Sequence, residues 1–146
     1  MTAVANGLRT GQSLVAPELF RSIVDFGVTQ FGQTRERAER QTDQALAFVA
    51  AMADTAAPMV PSDDVDHAFH AFILHTRDYA DFCQSHVGRF VHHNPRPGSG
   101  GRSLDAVRAS AHAMKAAGFV VLDDLWTVNG ESAAQCDSDD GRDYAI

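Results

Sequence analysis

Very little in this chain is available for crosslinking. Its 146 residues include two cysteines, Cys83 and Cys136. Two thiols cannot build a disulfide framework, and so sparse a use of cysteine points to a reducing compartment, with the cytoplasm as the expected location. No apolar run approaches the roughly 18 residues that a membrane span requires. The opening "MTAVANGLRTGQSLVAPELF" has no basic segment followed by an apolar one, so it does not read as a secretion signal. Lysine is almost missing, with one residue, Lys115, against eleven arginines. Basic charge is also scarce overall, since the formal net charge is −7. From Asp123 onward there are seven acids and one base, which leaves the preceding body nearly neutral. A neutral body with an acidic end offers no basic face for nucleic acid and no polybasic contact for a membrane surface.

What is present is enough for one core. A 45% apolar and 21% charged composition at this length fits a single globular domain that needs no staples. Residues 1–16 show little periodicity and read as a flexible N-terminus. Pro17 suits the first turn of a helix, and Leu19, Phe20, Ile23, Val24 and Phe26 give it an apolar face that ends near Gly27 or Gly32. Thr34 can cap a second helix running to about Ala53, closed by Pro58 and Pro61. Ser62 opens a third, with Asp63 and Asp64 at its positive end and Gly88 as the stop. The spacing predicts one continuous central helix to His86 or Val87, the spine of the fold. A Gly/Pro-rich loop follows, and Ser103 caps a last helix, Leu104 to Ala117. "FVVLDDLW" reads as a short extended piece leading to a turn. The expectation is an all-α fold, a small bundle of about four helices, over 17–128, with 129–146 an acidic, disordered tail.

Chemistry concentrates in "VDHAFHAFILHTRDYADFCQSHVGRFVHHNP", residues 65–95, which holds six of the seven histidines. At 100° per residue, Val65, Phe69, Phe72, Thr76, Tyr79, Ala80, Cys83 and Val87 form a core stripe. Asp63, Asp66, His67, His70, Arg77, Asp78 and Asp81 face away, with Leu74 among them. Tyr79 reads as a core residue with its hydroxyl bonded. Such a polar face is ordinarily a solvated surface, steadied by (i, i+4) pairs such as Asp63–His67 and Asp66–His70. The sharper reading is a metal site. Imidazole is the commonest side-chain ligand for zinc, copper and iron, and a helix can supply two donors one turn apart while a loop supplies the rest. Asp66, His70 and one of His92 and His93 would make a two-His-one-carboxylate set for iron(II). His67, a second-tier candidate, with His70 and a loop histidine would equally suit zinc or copper. Asp66 could instead fix the His70 tautomer. A Cys83–His86 nucleophilic pair is also available by spacing, although Cys83 falls on the core stripe, where a thiol behaves as a small hydrophobe.

The same stretch resembles a motif of bacterial relatives of the glycine-rich domain-containing proteins: Val-Asp, two residues, an aromatic and His, an aliphatic, Thr, Tyr, Phe-Cys, Gly and His-His-x-Pro. Those positions here are Val65, Asp66, Phe69, His70, Leu74, Thr76, Tyr79, Phe82, Cys83, Gly88, His92, His93 and Pro95. The aromatic before His70 is usually Trp in that motif and is Phe69 here. Relatives often carry further cysteines after the Leu-Trp pair, where this chain has only Cys136. The resemblance supplies no reaction. It does rank the histidines, placing Asp66, His70, His92 and His93 inside the motif and His67, His75, His86 and His112 outside.

Three functions compete on this reading. The first is a small His-rich metal-binding protein with Asp66, His70, His92 and His93 as the metal residues. Whether it is also an enzyme is left open; if it is catalytic, it is an iron, copper or zinc enzyme acting on a small metabolite or peptide. The second is a non-catalytic helical interaction module. The third is a structural zinc site that ties the 88–96 loop to the bundle.

Overall fold

The computed structural model describes residues 7–55, 57–93 and 103–134. The fold is all-α apart from one short hairpin. Its helices are α1 (Pro17–Phe31), α2 (Arg35–Ala51), α3 (Asp63–Ile73), α4 (Thr76–His86) and α5 (Leu104–Ala116). Strands β1 (Thr127–Val128) and β2 (Glu131–Ser132) pair antiparallel, with Thr127 opposite Ser132. The helix starts follow from capping chemistry. Pro17 enters α1 in its first turn. The hydroxyls of Thr34, Ser62 and Ser103 accept from the backbone N–H groups of Arg37, Val65 and Ala106 at 3.2, 3.3 and 3.1 Å, satisfying donors that a helix start leaves open.

The spine is α2 rather than the histidine segment. From Gln41 through Ala51 every residue of α2 except Asp43 is buried, and the helix packs against α1, α3 and α5. A helix buried nearly all round lacks the one-sided periodicity that marks an amphipathic helix, so the sequence pattern understated it. Gln44, fully buried, is its polar centre. Its Nε2 donates to the Val120 carbonyl at 3.0 Å, and its Oε1 accepts from Leu122 N at 2.9 Å and Trp126 Nε1 at 2.8 Å. One side chain thus meets hydrogen-bonding needs of three residues in the irregular segment that follows α5.

The continuous central helix is also corrected: it breaks at Leu74–His75 into α3 and α4. Neither Gly nor Pro marks the site. The imidazole of His75 donates from Nδ1 to the Ala71 carbonyl at 2.7 Å, the acceptor that the His75 amide would use if α3 went on. The amide bonds Phe72 O instead, at 2.9 Å, and His75 leaves the helical region at φ −84°, ψ 68°. With Nδ1 protonated, Nε2 accepts from the Ser22 hydroxyl of α1 at 2.8 Å. A helical wheel drawn through the break therefore fails beyond it. Thr76 and Ala80, expected on the core stripe, are exposed, and Phe82, which does not fall on that stripe, is buried. Val65, Phe69, Phe72, Tyr79 and Cys83 are buried as expected.

Both domain edges move outward from 17–128. Before α1, Arg9 bridges Phe119 in parallel, with Arg9 N to Gly118 O at 2.7 Å and Val120 N to Arg9 O at 2.9 Å. Gly11 lies so close to α2 that an added Cβ would stand 1.9 Å from the Asp43 carbonyl oxygen, which explains a glycine there. After "FVVLDDLW", which ends in a 3₁₀ turn at Asp123–Leu125, the chain turns at Asn129 and Gly130, both at positive φ. It then buries Ala133 and Ala134 completely. Ala133 N donates to Trp126 O at 2.7 Å, and Lys115 Nζ donates to Ala134 O at 2.5 Å. The rest of the expected tail, the first six residues and the loop 94–102 lie outside the described residues.

Candidate metal centre

Asp66 and His70 stand one turn apart on α3, and His93 arrives from the chain that follows α4. That chain is folded back in steps. Val87 and Gly88 both donate to the Cys83 carbonyl at 2.9 Å. Gly88 takes φ 89°, a left-handed helix terminus that favours glycine. Val91 is buried, and its carbonyl accepts the Tyr79 hydroxyl at 2.5 Å. Two residues later the His93 ring meets the edge of Phe69, with centroids 4.7 Å apart, and that of His70, at 4.6 Å. Phe69 belongs to the core cluster with Phe48 and Tyr79, so His93 rests on a packed floor.

The three side chains offer ligand atoms that all lie within 4.8 Å of one another. His70 Nδ1 is 2.9 Å from the Asp66 backbone carbonyl and 3.3 Å from Asp66 Oδ2. A carbonyl only accepts, so Nδ1 carries the proton and the lone pair of a neutral His70 is on Nε2. The tautomer-fixing partner expected of Asp66 is thus chiefly its main chain. That leaves Oδ1 facing His93 Nε2 at 3.6 Å. His93 Nε2 stands 3.0 Å from His70 Nε2. Without an ion, His93 Nε2–H donates to the His70 lone pair. An ion held there would take the Nε2 lone pair of each ring. Two metal–nitrogen bonds of about 2.1 Å at right angles put their nitrogens about 3.0 Å apart, so the observed spacing already fits two adjacent ligands. The Asp66 and His93 side chains are each 13% exposed and that of His70 is 38% exposed, so the group is open to solvent on the His70 side.

The other histidines go elsewhere. His92, expected among the metal residues, is exposed and lies against Phe90, with ring centroids 4.8 Å apart. Consecutive residues of an extended chain point to opposite sides, so only one of the pair can enter the site. His67 turns toward α1 and packs on Phe31 at 5.3 Å. His75 makes the helix break. His112 is exposed on α5. His86 lies on Phe82, with centroids 4.4 Å apart, and burial pushes its pKa below the ordinary imidazole value. A hydrogen bond with the Leu14 backbone opposes that shift, and the nearby Arg9 cation adds to it. Cys83 is fully buried, and the surroundings of His86 give no support to a nucleophilic pair between them. Burial, with a smaller contribution from Cys83, drives the Tyr79 pKa far upward, so its hydroxyl stays protonated as a donor. Phe69 as the floor under His93 was not singled out from sequence, since an aromatic on a core stripe carries no sign of what lies above it.

A family model described as UCP032817-like matches residues 23–126, a span that contains the whole Asp66–His70–His93 group. Comparison with curated proteins gave no match, and neither did comparison with solved structures.

Proposed function

The chain belongs to the UCP032817-like family, and we propose that it binds one transition-metal ion through Asp66, His70 and His93. The observation that carries this reading is the approach of His70 Nε2 and His93 Nε2 to 3.0 Å, with the proton of His70 held on the far side of its ring. Two imidazoles and a carboxylate on one side of an ion leave its remaining positions for water or substrate, the donor set of non-haem iron(II) sites. Zinc and copper are served by the same atoms. Of the competing readings, an enzyme acting on a small metabolite or peptide fits best, because the group is open on the His70 side. Iron or copper would support oxidation, and zinc would support hydrolysis through a bound water of lowered pKa. Analysis of protein made without a polyhistidine tag tests this: about one equivalent of iron, copper or zinc is expected. No uptake of any of the three at micromolar concentration and neutral pH sinks it.

A second reading has its own support. The chain of hydrogen bonds from His93 through His70 to the Asp66 carbonyl is satisfied without an ion. It would then act as a clip that fastens the returning chain to α3 in a non-catalytic module. In that case His70→Ala lowers stability and changes no metal content.

A further inference from the structure

Resting on the metal reading above, we propose that Tyr79 is the positioning residue of the site: its hydroxyl sets where His93 stands, and through His93 it sets metal affinity. His93 is separated from Asp66 and His70 by the whole of α4 and a reversal at Gly88. Something must fix that returning chain to a few tenths of an ångström, because a ligand set left loose gains little from its donors. The neighbouring contacts do not suffice. Phe90 is 48% exposed and His92 is exposed, so the residues before and between the anchor points sit at the surface. The hydrogen bond from Tyr79 to the Val91 carbonyl ties the backbone of this stretch to the core two residues before His93.

Tyr79 is suited to the task. It is 1% exposed, and its ring meets Phe69, Phe72 and Phe90 at centroid distances of 6.2, 5.0 and 5.3 Å. The ring is therefore held in place, and its hydroxyl donates to the Val91 carbonyl with the Cys83 thiol nearby. Phe69 touches both Tyr79 and His93, so a single packed aromatic carries the tie to the floor of the site. Tyr79 reaches neither the proposed ligand atoms nor the solvent side; it acts through the backbone two residues before His93.

Cobalt(II) serves as the probe, since its visible absorption reports the number and kind of ligands. Tyr79→Phe keeps the ring and removes the tie. It should weaken cobalt binding about ten- to a hundred-fold, the usual range for losing a group that orients a ligand, and should alter the cobalt spectrum. In a His93→Ala background the same substitution should cost nothing further, because the two act as one unit in a double-mutant cycle. An equal loss in both backgrounds, or a Tyr79→Phe protein with wild-type affinity and spectrum, overturns the proposal. Should Tyr79→Phe not fold, one glycine inserted after Val91 in a His92→Ala protein leaves the tie intact and puts alanine in the register of His93. The same loss is then expected, and unchanged affinity overturns the inference. Wild-type protein that takes up no cobalt overturns the metal reading and this inference with it. Wild-type binding beside an unaffected variant overturns this inference alone.

Discussion

His93 Nε2 lies 3.0 Å from His70 Nε2, across 23 positions of sequence. Neither ring is at its place by chance of surface packing. His70 is held by its own helix through the Asp66 carbonyl, and His93 lies on Phe69. Two nitrogens with one proton between them, beside a carboxylate, form a group that could hold a metal ion.

Removing either ring should therefore abolish binding at micromolar metal, leaving only a weak remainder at higher concentration, while its neighbour stays irrelevant. His70→Ala and His93→Ala are each expected to lose metal with the helical signal intact, and His92→Ala to keep it. Affinity should also fall on acidification, because protons compete for the ligand nitrogens. Titration of each variant with zinc or cobalt checks this, and a metal-free His92→Ala with a loaded His93→Ala would reverse the assignment.

His86 gives a separate pH dependence, in stability. Burial lowers its folded-state pKa, so the unfolded chain binds the proton more readily. Its contribution is complete above the unfolded value, near 6.5, and is lost as pH falls from there through the depressed folded value. His86→Gln should flatten the fall in urea midpoint as pH drops below about 6.5. A slope identical to that of the wild type would show that His86 titrates alike in both states.

Phe69→Ala should cost about 3–5 kcal/mol. The ring is 2% exposed and meets Phe48, Tyr79 and His93, so its loss opens a cavity that three aromatic neighbours cannot close. Chemical denaturation measures it. A loss below about 1 kcal/mol would show that the site floor collapses without strain.

Ending the chain after Asn129 should lower the melting midpoint by several degrees, whereas ending it after Ala134 keeps every contact described for the hairpin. The shorter form strips β2, the buried Ala133 and Ala134, the Lys115–Ala134 hydrogen bond and the bond from Ala133 N to the Trp126 carbonyl. A cost of about 1–2 kcal/mol corresponds to about 3–8 °C at this size. Equal midpoints for the two truncations would mean that this segment adds nothing.

Local chemistry made much of this protein legible in its sequence. Thr34, Ser62 and Ser103 announce helix starts because a hydroxyl satisfies open amides within the same turn, and Gly32 and Gly88 announce ends because few other residues take positive φ without strain. Asp66 and His70 are paired by helical spacing alone. Asn129–Gly130 was readable too, as a hairpin turn, but two-residue strands have no periodicity to support it. What the sequence alone left undecided was long-range. His75 interrupts the helix because its ring takes the Ala71 carbonyl through Nδ1 while Nε2 accepts from the hydroxyl of Ser22, on another helix. Gln44 reads as an ordinary surface glutamine until Val120, Leu122 and Trp126 close around it. The choice of His93 over His92 is likewise tertiary. Adjacent residues of identical chemistry differ only in which side of the returning chain they occupy, and that side is set where Tyr79 holds Val91.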